Sequence, residues 1–424
     1  MATSESVIRR MTRLAVRHQA VNLAQGFTDE APPFPMVWEA VATLLGGTEA
    51  GIDRVRRTTV GDLVSSTDGD GSASEVTLEE ALATVSASRD QFSQYSFPFG
   101  LPELREAIAD YTERWCRFRP DSEGETTVVL GATEGLASVF AGVCAPGDGV
   151  IVLEPFHEMY PAQAGVFGLR PIYLTLREGD GQWRLDRDEL VRAAAGARVL
   201  VLNTPHNPTG KVFTRGELQF IAEVALEHDL LVITDEIYEQ ITYDGHRHIP
   251  LAAEPGMRER TIIINSISKT GSATGWRVGW VIAPEPYTAK IRAVHDTLVI
   301  QAPTPLQKAA VRLLTMPAPF FDTLRTSYAR KRQALVTALA EVGFRFTVPE
   351  GAYYVFADYQ AVPALRGKSP MEAAVFLIER AGVAAVPGDG FYARPGSGAT
   401  HMRFAFCRSL ATLEDAARRL TTLA

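Results

Sequence analysis

The chain has 424 residues, is 46% hydrophobic and carries a formal net charge of -8, so it can bury a substantial core and has no basic excess for nucleic acid or an anionic membrane. No stretch approaches the roughly 20 apolar residues of a membrane span, and the amino-terminal stretch has no apolar signal core. Three scattered cysteines exclude a disulfide framework, and the two histidines of GHRHIP have no third metal ligand nearby. We therefore expect a cytoplasmic protein with no metal, membrane or nucleic-acid partner.

The amino-terminal part alternates helical patterns with polar loops. Residues 1–20 predict a short basic amphipathic helix, Gly26 lies in an extended segment before a proline-rich loop, and residues 36–45 predict a second helix. Residues 46–91 include SSTDGDGSAS, which is too polar and glycine-rich to bury a core. We interpret most of this stretch as an unusual polar insert, with a helix at 77–92. Tyr95 then precedes a glycine-proline turn that opens the next helix.

Two predicted strands lead into turns that are typical of ligand sites. Residues 126–130 form a β-branched strand followed by GATEG, in which Ala132 and Thr133 open a helix. Free backbone N–H groups and the helix dipole make such a turn an anion site. Residues 199–202 form a strand that leads into NTPHNPTG, a turn that contains Asn207.

A buried carboxylate follows the next strand. The segment LLVITDEIYEQITY predicts an apolar strand that ends in Asp235, with Tyr238 three residues later. An acidic residue at the end of an apolar strand is costly to bury without a partner, which favours a functional role for Asp235.

The stretch NSISKTGSATGWRVGW gathers hydroxyls, a lysine, glycines and an arginine behind the strand at 261–264. Ligands of open α/β sheets bind at the carboxyl ends of strands, so Ser266, Ser268 and Arg277 are placed to surround a phosphate. Lys269 is then free to act as a nucleophile, a combination that suits pyridoxal phosphate.

The carboxyl-terminal part predicts helices at 286–298 and 319–342, a strand pair in GFRFTVPEGAYYVFADY and a last strand that carries Arg403. Arg403 alternates with Met402 and Phe404, so its side chain points to the opposite face and can enter a cleft. The planar guanidinium suits a carboxylate.

Together, the lysine stretch, the Asn-Pro-Thr-Gly turn and the Asp-x-x-Tyr pair resemble the class I/II aminotransferases of fold type I that use pyridoxal 5′-phosphate, especially the kynurenine and methionine aminotransferase branch. The resemblance runs from residue 21 to the end, except for the insert. It implies an α/β fold with a large domain, whose mostly parallel seven-stranded sheet is covered by helices, and a smaller α+β domain. We expect an arm and part of the small domain at 1–45, the large domain at 92–304 and the small domain at 305–424.

The resemblance also implies roles for single residues. Lys269 would hold the cofactor as a Schiff base, Asp235 would hold the proton of the ring nitrogen, and Tyr238 would donate to the O3′ oxygen of the cofactor and tune the Schiff base. The other cofactor contacts would come from Ala132, Thr133, Asn207, Ser266, Ser268, Arg277 and, from the neighbouring subunit of a homodimer with shared active sites, Tyr95. Substrate contacts would come from Gly26, Asn207 and Arg403. His157 stands where relatives usually carry an aromatic residue stacked on the ring, and it can either stack or exchange protons.

Two reactions are compatible with this set of residues. The first is transamination between an L-amino acid and a 2-oxo acid through a Lys269 aldimine and a quinonoid. The second uses the same quinonoid for elimination, replacement or cyclisation on an activated amino acid such as S-adenosylmethionine, and it is motivated by His157 and by the insert. A regulator that binds the cofactor would need a DNA-binding module, for which the amino-terminal arm is too short.

Overall fold

The computed structural model describes residues 7–26, 28–59, 62, 92 and 94–423. The strands in chain order are Val21–Asn22 (β1), Thr126–Val129 (β2), Gly149–Glu154 (β3), Arg170–Thr175 (β4), Arg177–Gly179 (β5), Gln182–Arg184 (β6), Val199–Asn203 (β7), Leu231–Asp235 (β8), Thr261–Ser266 (β9), Gly279–Ile282 (β10), Arg345–Phe346 (β11), Tyr354–Asp358 (β12), Val383–Ala384 (β13), Val386–Pro387 (β14) and His401–Ala405 (β15).

The α-helices in chain order are Val7–Arg17 (α1), Phe34–Gly46 (α2), Glu49–Arg57 (α3), Pro102–Cys116 (α4), Gly131–Val143 (α5), Met159–Val166 (α6), Arg187–Ala194 (α7), Arg215–Glu227 (α8), Ile267–Thr270 (α9), Glu285–Val299 (α10), Thr304–Leu314 (α11), Ala318–Val342 (α12), Pro370–Phe376 (α13) and Leu410–Leu420 (α14). Shorter helical turns of 3₁₀ type lie at Leu251–Ala253, Arg258–Arg260, Thr274–Trp276, Gly388–Phe391 and Thr421–Leu423, and a π-turn at Leu377–Ala381 extends α13. Several of these helices begin at residues that favour a helix start. Thr214 and Glu217 form a capping box at the start of α8, and a proline opens α4.

A seven-stranded sheet forms the centre, in the order β2-β10-β9-β8-β7-β3-β4. Its strand pairs are parallel except those of β10, which runs antiparallel to β2 and to β9. Strands β3, β7, β8 and β9 are buried along their whole length, because helices cover both faces of a parallel sheet. The predicted fold, a mostly parallel sheet covered by helices, is confirmed.

A second, smaller sheet has the order β11-β12-β15-β14 and is antiparallel. The long helix α12 packs on α14 beside it, and the short pair of β1 and β13 brings the amino-terminal segment to the same part of the molecule. These elements form the predicted α+β part. The exact domain boundaries stay predictions, and helix α11, expected in the small domain, packs on α2 and α4 next to the central sheet.

The expected insert begins with a helix that the sequence pattern did not predict. Helix α3 starts at the cap residue Thr48 and buries Ile52 and Val55 in a small cluster with Phe92 and α2. Apart from residues 58, 59 and 62, the rest of the insert lies outside the described residues, including nearly all of the helix predicted at 77–92. The first six residues of the helix predicted at 1–20 also lie outside them.

Over the part of the chain that the structure describes, no helix is long and apolar enough to span a membrane. The same residues contain no group of three or more potential metal ligands close enough to hold an ion.

Candidate active site

The candidate site lies at the carboxyl ends of β7, β8 and β9, where three strand ends meet. Asn203, the last residue of β7, pairs in register with Asp235, the last residue of β8. Ser266 ends β9 opposite Gly279 of β10, and Gly279 also pairs with Val129 of β2. The strand ends that the sequence marked as separate motifs are therefore neighbours in space.

One corner of this edge brings together a helix N-terminus and a guanidinium, two groups that bind anions. Gly131 opens α5 with φ +77°, and a side chain there would overlap the Arg277 guanidinium, so the guanidinium lies directly on the helix start. Arg277 itself adopts the left-handed conformation with φ +56°, and burial lowers the pKa of its side chain. Ala132 is buried in the first helical turn and Thr133 is exposed beside it.

Two serines complete this corner. Ser266 caps the short helix α9, and its Oγ accepts a hydrogen bond from the Ser268 backbone N–H at 3.3 Å. Both serines are buried. The corner thus combines helix N-termini, hydroxyls and a guanidinium.

Asp235 is buried at the middle of the edge. Its Oδ2 accepts a hydrogen bond of 2.7 Å from Tyr160 Oη, while its Oδ1 receives a long contact of 3.4 Å from the Ile237 backbone N–H. Burial raises the pKa of Asp235 to about 6, and the hydrogen bonds and the positive charge of Lys269 offset part of that rise. One carboxylate oxygen is thereby left with capacity for a further donor.

Lys269 follows β9 in helix α9, as predicted, and its Nζ donates to the Gly26 carbonyl at 3.2 Å. Its ammonium also lies 5.8 Å from the ring centre of Tyr238 and 5.5 Å from that of Tyr353. Burial lowers the pKa of Lys269 to about 8. A substantial fraction of this amine is therefore neutral and nucleophilic in mildly alkaline solution.

Arg403 enters the site from β15 and is buried. Its Nη1 donates to Asn207 Oδ1 at 3.0 Å and its Nη2 to the Ala24 carbonyl at 2.9 Å. Asn207 is held from its other side, because its backbone N–H donates to Asn203 Oδ1 at 2.7 Å. The structure thus joins the predicted residues Arg403 and Asn207 directly.

Two tyrosines that sequence analysis did not assign to the site lie between these groups. Tyr354 Oη is 3.1 Å from Tyr238 Oη, and the Tyr354 ring lies 4.4 Å from the Arg403 guanidinium carbon. Tyr353 Oη donates to the Gly26 carbonyl at 2.9 Å, the same oxygen that Lys269 contacts. A side chain at Gly26 would overlap the Tyr354 hydroxyl, which explains the glycine.

His157 lies in the loop after β3, next to Tyr160. Its Nδ1 accepts the Met159 backbone N–H at 3.2 Å, and its ring centre is 5.9 Å from that of Tyr160. Burial, helped by the positive charges of Arg403 and Lys269, lowers the pKa of His157 to about 3. The imidazole is therefore neutral at physiological pH, with its proton on Nε2.

Tyr95 is apart from the other candidates. Its side chain is 79% exposed, next to Phe97, which is 60% exposed. Ser96 between them donates through its backbone N–H and its Oγ to Gln301 Oε1, at 2.6 and 2.9 Å. Within one chain, therefore, Tyr95 is fixed to the surface and does not join the Lys269 edge.

The site residues that sequence analysis missed differ in how strong a sequence signal they carry. Asn203 is a polar residue at the end of an apolar strand, the same signal that identified Asp235. Tyr160 is buried and donates to Asp235, a contact that no local pattern in its segment indicates. Tyr353 and Tyr354 carry no local signal, because their role depends on how the second sheet meets the first.

Comparisons with known proteins identify the family of the chain. The family model described as aminotransferase class I and II matches residues 64–420. The mouse kynurenine-oxoglutarate transaminase 1 is 30% identical over 436 residues, covering 96% of this chain and 93% of that protein. The solved N-succinyldiaminopimelate aminotransferase of Mycobacterium tuberculosis is 33% identical with a TM-score of 0.84, covering 99% of this chain and 98% of that chain.

A solved Escherichia coli protein, YbdL, whose structure is reported to identify a methionine aminotransferase function, is 30% identical with a TM-score of 0.83, covering 99% of this chain and 97% of that chain. The family match covers most of the chain, and these relatives align along nearly all of it. The chain therefore belongs to the aminotransferase class I and II family and is an enzyme that transfers amino groups with pyridoxal phosphate.

Proposed function

We propose that the enzyme moves an amino group between an L-amino acid and a 2-oxo acid at the edge formed by β7, β8 and β9. One observation carries this proposal: Lys269 and Arg403 donate hydrogen bonds to the carbonyl oxygens of Gly26 and Ala24, at 3.2 and 2.9 Å. These carbonyls are two residues apart in one segment. An amine that can remove an α-proton and a guanidinium that can hold an α-carboxylate are thus within reach of one amino acid.

The groups at this edge fit pyridoxal 5′-phosphate. Asn207 Nδ2 is buried and has no hydrogen-bond partner among the described residues, so it has a donor to offer to the ring oxygen of the cofactor. Asp235 Oδ1 has capacity for a protonated ring nitrogen. When bound, pyridoxal phosphate supplies an electron-withdrawing ring that makes the α-proton of a linked amino acid easier to remove.

We assign the cofactor contacts by position at the edge. The phosphate would be held by Ala132, Thr133, Ser266, Ser268 and Arg277, the ring nitrogen by Asp235, the ring oxygen by Asn207 and Tyr238, and the ring face by His157. His157 is neutral at physiological pH, so it can stack on the ring without adding a charge there, and its lowered pKa makes it a weak base.

Lys269 and Arg403 would act on different groups of the substrate. Because burial brings the pKa of Lys269 to about 8, its amine can be neutral and can act as the base at the α-carbon. Arg403 would hold the α-carboxylate, and its contact with Asn207 would couple the position of the substrate to that of the cofactor. Gly26 would leave room for that carboxylate.

We further propose a homodimer in which Tyr95 reaches the phosphate corner of the partner subunit. This assignment would explain an exposed tyrosine beside an exposed phenylalanine on a segment fixed by Gln301. The proposed compartment is the cytoplasm, in keeping with three cysteines that form no disulfide with one another.

A single-turnover experiment tests the proposal. The purified enzyme, loaded with cofactor, is mixed with an amino acid and no 2-oxo acid, and the products are counted per active site. Methionine, kynurenine and N-succinyldiaminopimelate form the first panel, since the relatives are named for them. We expect one equivalent of pyridoxamine phosphate and one of the 2-oxo acid. Multiple turnovers without an acceptor, or release of a thiol or thioether, would disprove transamination.

A further inference from the structure

A hydrogen bond beneath the candidate site gives one more residue a role. Tyr160 Oη donates to Asp235 Oδ2 at 2.7 Å, and both side chains are buried. The carboxylate oxygen that faces Tyr160 has a short bond, and the other oxygen has the much longer 3.4 Å contact from the Ile237 backbone. The donor therefore fixes which oxygen of Asp235 is used inside the protein and which is left for a ligand.

We propose that Tyr160 is a positioning residue that turns the Asp235 carboxylate toward the cofactor ring nitrogen and keeps it charged. This inference rests on the proposed assignment of Asp235 to that nitrogen. Tyr160 is itself held in place, because its backbone N–H donates to the His157 carbonyl at 3.1 Å and its ring packs near the His157 ring. The loop after β3 supplies the group assigned to the ring face, and the first turn of α6, directly after it, supplies the group that orients the carboxylate.

The electrostatic surroundings support this role. Asp235 faces Tyr160 from α6, Lys269 from α9, and Glu236 and Tyr238 from the turn after β8. Burial and then the charge of Asp235 hold the pKa of Tyr160 well above its usual range, so its hydroxyl remains a donor. After burial, which raises the pKa of Asp235, the Tyr160 hydrogen bond is the largest influence that lowers it.

The variant Tyr160→Phe removes the hydroxyl and keeps the ring. Without its donor, Asp235 should ionise at a pH higher by about one to two units, the size expected of one hydrogen bond to a charge. We expect the pH below which the enzyme loses affinity for pyridoxal phosphate to rise by that amount, and the affinity to recover at higher pH. The measurement is the dissociation constant of the cofactor at a series of pH values from about 5 to about 9, on both sides of the raised pKa, read by protein fluorescence on the cofactor-free enzyme.

Matched variants separate this role from simple loss of packing. Tyr238→Phe also removes a hydroxyl from the site. It should weaken cofactor binding without shifting the acid limb of the pH profile, that is, the pH below which affinity for the cofactor is lost. In an Asp235→Asn background, Tyr160→Phe should cause no shift of that limb. Tyr160→His, which restores a donor, should return the limb toward the wild-type position. Melting curves of each cofactor-free variant in mildly alkaline buffer confirm that it is folded.

The outcomes distinguish this inference from the proposed function. If Tyr160→Phe leaves the affinity unchanged, or lowers it by the same factor at every pH, Tyr160 does not position Asp235 and the inference is wrong, while the proposed function stands. If the wild-type enzyme has no measurable affinity for pyridoxal phosphate at any pH, both are wrong.

Discussion

Replacing Gly26 by alanine is expected to displace the Tyr354 ring. A Cβ atom at position 26 would come closer to the Tyr354 hydroxyl than the 3.0 Å that real Cβ atoms respect, and it would lie 3.0 Å from Tyr354 Cζ. The backbone cannot simply retreat, because the Gly26 carbonyl accepts hydrogen bonds from Lys269 at 3.2 Å and Tyr353 at 2.9 Å. Overpacking of this kind costs about 1–3 kcal/mol, or roughly 5- to 150-fold in an equilibrium constant.

This cost should weaken substrate binding, because the Tyr354 ring packs 4.4 Å from the Arg403 guanidinium carbon. We expect Gly26→Ala to raise the KM for the amino donor within that range, measured by steady-state kinetics at saturating 2-oxo acid. The second change Tyr354→Phe removes the overlapping hydroxyl. It should recover part of the loss, but only part, since the Tyr354 Cζ at 3.0 Å and Tyr353 Cε2 at 3.1 Å remain.

A suitable control is Gly216→Ala at the start of α8, where an added Cβ meets nothing within 4 Å. This variant should leave KM unchanged and should not destabilise the protein, because alanine is favoured over glycine in a helix. A double-mutant cycle compares the effect of both changes on KM with the sum of the two single effects. If the effects of Gly26→Ala and Tyr354→Phe simply add, the two positions do not interact and the steric reasoning is refuted.

Other variants test separate parts of the site. Lys269→Ala should abolish the covalent bond to the cofactor, so that borohydride reduction followed by mass spectrometry finds no labelled peptide; a label elsewhere would contradict the assignment. Because the pKa of Asp235 is raised to about 6, its contribution to the stability of the cofactor-free protein is complete below about pH 4 and is lost as the pH rises to 6. Asp235→Asn should therefore make the cofactor-free protein more stable above pH 6, by about 3 kcal/mol in urea unfolding, while weakening cofactor binding. Arg332→Ala should destabilise the protein by about 1–3 kcal/mol, since its guanidinium donates to both carboxylate oxygens of Asp244 at 2.7 and 2.8 Å, whereas the gentler change Asp244→Asn should cost less in the same assay. Tyr95→Phe should raise the cofactor dissociation constant about tenfold in the dimer without changing monomer stability, and an unchanged constant would separate Tyr95 from the partner's site.

Much of the central sheet could be predicted from the sequence, because its buried strands are continuous runs of β-branched and aliphatic residues that end in polar turns. Lys269, Asp235 and Asn207 meet for the same reason: the carboxyl ends of parallel strands lie at one edge. Arg403 comes from the other sheet, so the alternation along its own strand indicated only that it can enter a cleft, and its placement in this site rested on the family resemblance.

The features that escaped prediction depend on contacts between distant parts of the chain. Tyr354 reaches Tyr238 only because the second sheet docks against the first, and nothing in the string AYYVFADY indicates that contact. Helix α3 was missed because its pattern is short and highly charged, and only Gly51, Ile52 and Val55 of it are buried.

The segment between β1 and α2 is tied to the same cations that the proposed substrate and cofactor would use. Arg403 holds the Ala24 carbonyl and Lys269 holds the Gly26 carbonyl, while Arg408 anchors the Asp29 carboxylate at 3.0 Å. A ligand that engages Arg403 or Lys269 competes with this backbone for their hydrogen bonds. Loading the site and ordering the segment are therefore thermodynamically linked, and the linkage is reciprocal: changes that loosen the segment alter affinity although they touch no ligand.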